Sequence, residues 1–181
     1  TVAPVISLVG DAAVTHVGGT TYTDAGATAV DALDGSVTVT TIGTVDGGTA
    51  GTQTLTYTAT DAAGNVGAAS RTITVTDVAG PVITLSGSGT VTHEGGATYT
   101  DAGATATDAV DGTVSVTTTG SVTEGTVGDY TLTYSATDVA NNTSTLTRLV
   151  TVVAASNTPV DTDGDGLPDS QETSLGTDPT K

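Results

Sequence analysis

Cysteine, methionine, tryptophan and phenylalanine are absent from this 181-residue chain. Basic residues are nearly so: Arg71, Arg148 and Lys181 stand against twenty acids, giving a formal net charge of −17. Each absence excludes something. Without cysteine there is no disulfide framework, thiol nucleophile or zinc–thiolate site. Three cations cannot neutralise a run of phosphates, so nucleic acid is not an expected partner, nor is an anionic membrane surface. No apolar run approaches the ~20 residues of a spanning helix, so no membrane insertion is expected. Only His16 and His93 offer a general base near neutral pH, and carboxylate pairs such as Asp31 and Asp34 share one turn. The chain therefore reads as no enzyme.

What is present is threonine and aspartate. Threonine supplies 44 residues, and 17 of the 20 acids are Asp. A solvated helical surface would favour Glu; Asp suits turns and the close coordination of a hard cation. Composition thus points to strands and loops.

Residues 4–77 align without a gap on 81–154 at an offset of 77, with 44 of 74 pairs identical. His16 matches His93, Asp31 and Asp34 match Asp108 and Asp111, Asp61 matches Asp138, and Arg71 matches Arg148. The period exceeds the 20–50 residues of solenoid units and suits two small domains. We expect one domain over 1–77, a linker at 78–80, a second domain over 81–155 and a distinct segment at 156–181. Within a repeat, apolar residues alternate with Thr, as in Leu55-Thr56-Tyr57-Thr58-Ala59, the pattern of a half-buried strand. Strands are predicted near 4–9, 13–17, 21–29, 36–43, 53–60 and 67–76, with a short one around 45–49. Tyr130 stands where the hydroxyl of a tyrosine corner would, whereas the first repeat has Gln53 there. Tyrosines are expected in the core and not in loops. The fold class is all-β: two tandem β-sandwiches plus a short C-terminal loop segment.

Several motifs occur in both repeats: Pro-Val-Ile-x-Leu at 4–8 and 81–85, Gly-Gly-x-Thr-Tyr-Thr-Asp-Ala-Gly-Ala at 18–27 and 95–104, and Asp-x-x-Asp-Gly at 31–35 and 108–112. With Tyr-Thr-Ala-Thr-Asp-Ala-Ala-Gly-Asn at 57–65 and Arg-Thr-Ile-Thr-Val at 71–75, each repeat resembles the bacterial immunoglobulin-like family named after a pesticidal crystal protein. The second repeat departs at Asn141, where the family usually has Gly, so its hairpin turn is expected to differ. The resemblance implies an extracellular or cell-surface spacer or adhesion module, used in tandem, with no catalytic residue.

The segment Asp161-Thr-Asp163-Gly-Asp165-Gly166-Leu167-Pro-Asp169-Ser-Gln-Glu172 has the register of a twelve-residue EF-hand-type calcium loop. Asp161, Asp163 and Asp165 converge on one hard cation while Gly166 lets the backbone reverse. The Leu167 carbonyl supplies the seventh position, Asp169 binds directly or through water, and Glu172 closes the sphere with both oxygens. A short helix over 168–175 ending at Gly176 should follow. With Gly176-Thr-Asp178-Pro179, the segment resembles a bacterial thrombospondin type 3 repeat. The expected cofactor is Ca2+.

A second acidic constellation is repeated. In a sandwich of this kind Asp31, Asp34 and Asp61 come to the end where the chain enters, and Asp108, Asp111 and Asp138 come to the linker, facing Asp77. Each group has two readings, a calcium site stiffening the junction or Asx and Asp-Gly turns without metal. His16 and His93 are expected to serve hairpins, and Arg71 and Arg148 to pair with a carboxylate on a neighbouring strand.

These readings converge on a calcium-binding extracellular or cell-surface structural protein, with head-to-tail self-association into a filament as its sharper version. Two alternatives stand: an adhesin reading a glycan or protein ligand, and an accessory array of a larger secreted enzyme. The chain lacks an initiating Met and a signal peptide, as a mature product or an excised piece would. Low Lys with high Asp and Thr suits a secreted bacterial protein in salty, calcium-bearing water.

Overall fold

The computed structural model describes residues 2–155, 161–162, 164, 167–178 and 180. The protein is all-β. In the first repeat β1 (Val5–Leu8), β3 (Ala27–Asp31) and β4 (Gly35–Val37) form one sheet in the order β1-β3-β4. Its partner contains β2 (Ala13–Val17), β5 (Val39–Ile42), β6 (Gly51–Thr60) and β7 (Val66–Thr76), in the order β2-β7-β6-β5. β2 runs parallel to β7, and the remaining pairs are antiparallel. The alternation read from sequence is the burial pattern: on β6 Leu55, Tyr57 and Ala59 are buried while the intervening Thr residues face outward. Leu55, Tyr57, Ile73 and Val75 form the core, with Ile6, Leu8, Tyr22 and Val39 packed around it.

The second repeat supplies β8 (Val82–Leu85), β9 (Thr90–Glu94), β10 (Ala104–Asp108), β11 (Gly112–Val114), β12 (Val116–Thr119), β13 (Gly128–Thr137) and β14 (Thr143–Val153), followed by α1 (Asp169–Leu175). The chain groups into two compact units. One holds Thr1–Gly87, Ala102–Thr119 and Thr133–Leu146; the other holds Ser88–Asp101, Gly120–Leu132 and Thr147–Lys181. In the first unit β11-β10-β8 repeats the three-stranded sheet, and β12 pairs with β13 as β5 does with β6. In the second unit β9 pairs in parallel with β14, as β2 does with β7.

Three predicted boundaries differ from those observed, each for a tertiary reason. Residues 21–26 are not strand, although the motif alternates there; the segment is drawn inward so that Asp24 reaches a buried arginine. The 36–43 strand is two, broken at Thr38, where the chain passes from one sheet to the other. Residues 45–49 form a turn, in which the Asp46 carboxylate accepts from Gly48 N–H at 2.9 Å and Thr49 O–H at 2.8 Å. That turn is held from above. The Gln53 side-chain amide donates to Asp46 O at 2.7 Å and Thr49 O at 3.0 Å, and its Oε1 accepts from Asp46 N–H. At the matching place Tyr130 O–H donates to Thr126 O at 2.8 Å, the expected tyrosine corner. Glutamine thus replaces tyrosine at the same carbonyl. Asn141 keeps the turn it was expected to alter: its φ is +69°, against +88° for Gly64, because Asn tolerates the left-handed region.

The largest fully buried side chains are arginines. Arg71 and Arg148 are each 1% exposed, in a core without Phe, Trp or Met. Arg71 donates to Asp24, Asp11 O, Val9 O and Gly26 O, and lies 5.6 Å from the Tyr57 ring centre. Tyr57 O–H donates to Asp24 at 2.7 Å; burial, and then this bond, push the phenol up to about 12. Arg148 repeats the pairing with Asp101 and with Ser88 O. The acidic partners lie in the segment before β3 and before β10, not on a neighbouring strand as expected. Tyr22 and Tyr99, expected in strands, also lie in these segments, half-buried and edge-on to His16 and His93 at 5.3 Å.

Removing one partner of a buried ion pair leaves the other uncompensated. Arg71→Leu should cost about 3 kcal/mol, at the lower end for such pairs because Asp24 keeps some solvent contact. Tyr130→Phe, losing one hydrogen bond to a backbone carbonyl, should cost about 1 kcal/mol. Urea denaturation of the two variants should show that ranking; equal midpoints would refute the central role given to the arginine.

Candidate metal centre

Two groups of three carboxylates come together among the described residues: Asp31, Asp34 and Asp61, and Asp77, Asp108 and Asp138. Within each, one oxygen per residue lies within 4.8 Å of the others. The first three are those expected together; in the second group Asp77 joins Asp108 and Asp138, and Asp111, also expected there, is not among the three. At the first group the turn joining β3 to β4 and the turn joining β6 to β7 lie side by side, together with Val2.

Each turn is built by its own aspartates. Asp31 accepts from Leu33 N–H at 2.8 Å and Asp34 N–H at 3.1 Å, and Asp108 accepts from Val110 and Asp111 at 2.7 and 3.1 Å. Asp61 accepts from Asn65 N–H and Nδ2 at 2.7 and 2.6 Å, and Asp138 does the same with Asn142. Asp34 and Asp111 bridge the two turns, accepting from Ala62 N–H at 3.0 Å and Val139 N–H at 2.8 Å. Asp111, outside the second group of three, ties together the two turns that carry Asp108 and Asp138. Turn chemistry is thus present at both ends, and it aims the carboxylates instead of consuming them. The Asn65 side chain, first, and backbone N–H groups hold Asp61 below its ordinary value, and the Val110 and Asp111 N–H groups do so for Asp108.

Asp77 makes the two groups unequal. It follows β7 and accepts only a 3.3 Å bond from Ala79 N–H at Oδ1. Its Oδ2 is shut off from solvent and has no hydrogen-bond donor among the described residues. Burial raises its pKa, and the charges of Asp108, Asp138 and Asp111 raise it further. A buried acceptor among like charges is a costly arrangement without a cation, and three oxygens at this spacing suit a hard one. The first group opens into a cavity of about 510 Å3 lined also by Val2, Leu33 and Ala62.

In the C-terminal loop, Asp163, Asp165 and Gly166 lie outside the described residues. Asp161 accepts from Gly164 N–H at 2.8 Å. Asp169 receives Thr162 N–H at 2.7 Å and Thr162 O–H at 2.6 Å, which hold its carboxyl below the usual value and tie loop position nine to position two. Leu167 is exposed. The expected helix is α1, capped by Gly176 in the left-handed region at φ 78°. Glu172, at position twelve of the loop, is 1% exposed despite its charge. A carboxylate that buried fits the closing ligand of an oxygen-only cation site.

A family model described as bacterial surface protein, Ig-like domain matches residues 6–75 and again 83–152. A second, described as bacterial TSP3 repeat, matches residues 161–181. No curated protein matches the chain. Among solved structures, a lipoprotein from Bacteroides thetaiotaomicron is 26% identical over 45% of this chain and 41% of that one, with a TM-score of 0.39. The M60 catalytic domain with two CBM51 domains from Clostridium perfringens ZmpB is 13% identical over 83% and 31%, with a TM-score of 0.46. Mouse cadherin-23 EC22-24 is 16% identical over 84% and 66%, with a TM-score of 0.42. The chain spans less than half the length of the first structures it matches.

A carboxyl whose folded pKa is raised favours folding when protonated and opposes it once pH climbs above its ordinary value of 3.8. Asp77→Asn should therefore raise the melting temperature of chelator-treated protein at pH 7 and lower it in calcium. Asp61 and Asp108 have depressed values, so their stabilisation is present above 3.8 and is lost as pH falls through them. Thermal melts with and without chelator test the reversal; a variant less stable in both conditions would dismiss Asp77 as a ligand.

Proposed function

The chain belongs to the bacterial surface protein Ig-like family through both of its repeats, and we propose that it is a non-catalytic, calcium-binding spacer of a bacterial extracellular or surface protein. One observation carries the reading: Asp77 Oδ2, buried without a donor among the described residues and set amid the charges of Asp108, Asp138 and Asp111. A spacer is useful only if its joints are stiff, and Val78-Ala79-Gly80 alone would leave this one loose. A divalent cation held by Asp77 from the end of β7 and by Asp108 and Asp138 from two turns of the next repeat would clamp that linker from both sides. Calcium suits the site better than magnesium, because carboxylates fixed by their own turns cannot close to the short, strictly octahedral distances magnesium requires. Asp161, Asp163, Asp165, the Leu167 carbonyl, Asp169 and Glu172 would take a second ion, and Asp31, Asp34 and Asp61 offer a third, less complete set.

Charge supports the same reading. Both described arginines are buried, so no basic side chain on the described surface offsets the acids. Like subunits repel at −17 each, and calcium lowers that repulsion where it binds. We include in the proposal that copies associate head to tail once calcium is bound. A glycan-reading role lacks the exposed aromatic platform it would use: Tyr22, Tyr99 and Tyr130 are half-buried, and Tyr57 and Tyr134 fully so.

A calcium titration of the whole chain, read by melting temperature and by light scattering, tests this. Ligand at a hundred times its Kd adds about 2.7 kcal/mol per site, which chelator should remove along with any assembly. Asp138→Asn should abolish the junction's share and Glu172→Gln that of the C-terminal loop, leaving the other intact. Identical melts with calcium and with chelator would end the proposal.

A further inference from the structure

The joint between the repeats is a fitted contact as well as an acidic one. The tip Ala109-Val110, between Asp108 and Asp111, seats on the turn Gly18-Gly19 that follows β2. A Cβ added to Gly18 would lie 2.7 Å from Val110 Cγ2, and one added to Gly19 would lie 2.6 Å from Ala109 Cβ. Both glycines are therefore the socket for the tip. All of these residues belong to one compact unit.

Both halves of this contact recur elsewhere in the chain at the 77-residue offset, and among the described residues neither is capped there by the other. The tip recurs as Ala32-Leu33, with the same aspartate accepting the same pair of N–H groups. Leu33 is 82% exposed, whereas its counterpart Val110 is half-buried. The socket recurs as Gly95-Gly96. Gly95 N–H donates to Val153 O at 2.8 Å, as Gly18 does to Thr76 O. Gly96 donates to Glu124 O at 2.9 Å, as Gly19 does to Gly47 O at 2.8 Å. The glycine angles agree, +76° for Gly19 and +85° for Gly96; among the described residues nothing stands within 4 Å of a Cβ built on Gly96, and the nearest atoms to one built on Gly95 are backbone atoms of Val153, Glu124 and Ala155. The backing is duplicated too: His93 Nε2–H donates to Ala97 O at 3.0 Å, as His16 Nε2–H does to Thr20 O.

We infer that a second copy of this chain is the occupant: the Ala32-Leu33 tip of one molecule docks on the Gly95-Gly96 socket of the next, repeating between molecules the contact made within each. The inference rests on the head-to-tail reading above and names its surfaces. A contact between different surfaces of identical subunits propagates as an open filament unless its rotation closes a ring. Leu33 is larger than Val110 and offers the socket more apolar surface. Ala154 stands where Asp77 does, so the joint between copies has one carboxylate fewer and no covalent linker. It is the weaker joint, and it depends on concentration.

A chain without cysteine permits a direct test by disulfide trapping. Ala32→Cys and Ala97→Cys proteins, mixed in calcium and oxidised, should give a cross-linked heterodimer that neither forms alone; adding Leu33→Glu to the first should abolish it. Thr20→Cys with Ala109→Cys in one chain should close internally, since these are the equivalent positions. In sedimentation, Leu33→Glu should remain monomeric while Val82→Glu, at an exposed site outside the tip, associates as the parent does. Assembly that survives Leu33→Glu, with no heterodimer, would reject this contact and leave head-to-tail association standing. A parent chain monomeric in calcium at every concentration would reject both, while a calcium-dependent rise in melting temperature would still uphold ion binding. Failure of the internal pair to close would remove the template itself.

Discussion

The burial of two guanidinium groups is the constraint on which the rest depends. Each sandwich is small and lacks the bulky apolar residues that usually fill such a core, and Arg71 or Arg148 takes that volume instead. A buried arginine must be hydrogen-bonded throughout, so it dictates its surroundings. Arg71 gathers the carbonyls of Val9, Asp11 and Gly26 and the carboxylate of Asp24, drawing the connecting segments onto the sheet. Those segments then fix where β3 starts and hence where its acidic turn is presented. The same burial withdraws the described cations from the surface. The exterior charge has no internal remedy and must be met by ions from solution.

The repeat uses one set of residues for two tasks. At each entry end the aspartates close their own turns, which holds their remaining lone pairs in position. What separates the two ends is a neighbour. The second receives Asp77 and the Gly18-Gly19 turn from the repeat before it, and becomes a joint. The first has the same turns and a more exposed apolar tip. Whether an acidic loop meets another repeat is therefore decided by what packs against it.

Much of this was legible in the sequence. Alternating Thr and apolar residues gave the strands, the 77-residue self-match gave the two sandwiches, and Asp-x-x-Asp-Gly marked the turns that meet at one end. The short helix after Pro168 and its glycine stop were readable from local chemistry alone. What escaped involved partners distant in sequence. Residues 21–26 alternate like a strand and are bent away because Asp24 serves Arg71, 47 residues on. Gln53 took over the task of a tyrosine, which no local pattern announces. The Gly18-Gly19 pair reads as an ordinary hairpin turn until the Ala109-Val110 tip appears above it. Paired glycines whose added Cβ atoms would clash with a distant loop are the signal of a socket, and that signal exists only in three dimensions.

Placing the arginines inside strands has a consequence for resistance to proteolysis. Proteases that cut after basic residues need an accessible, extended Arg or Lys, and here Arg71 and Arg148 sit in the interiors of β7 and β14 with their guanidinium groups enclosed. The third basic residue, Lys181, closes the given sequence and lies outside the described residues. Scission at either arginine must wait for its strand to open, so its rate is tied to the stability of the sandwich and not to the sequence around the bond. The described surface, from which both arginines are withdrawn, is thereby also without an accessible arginine for trypsin-like cleavage.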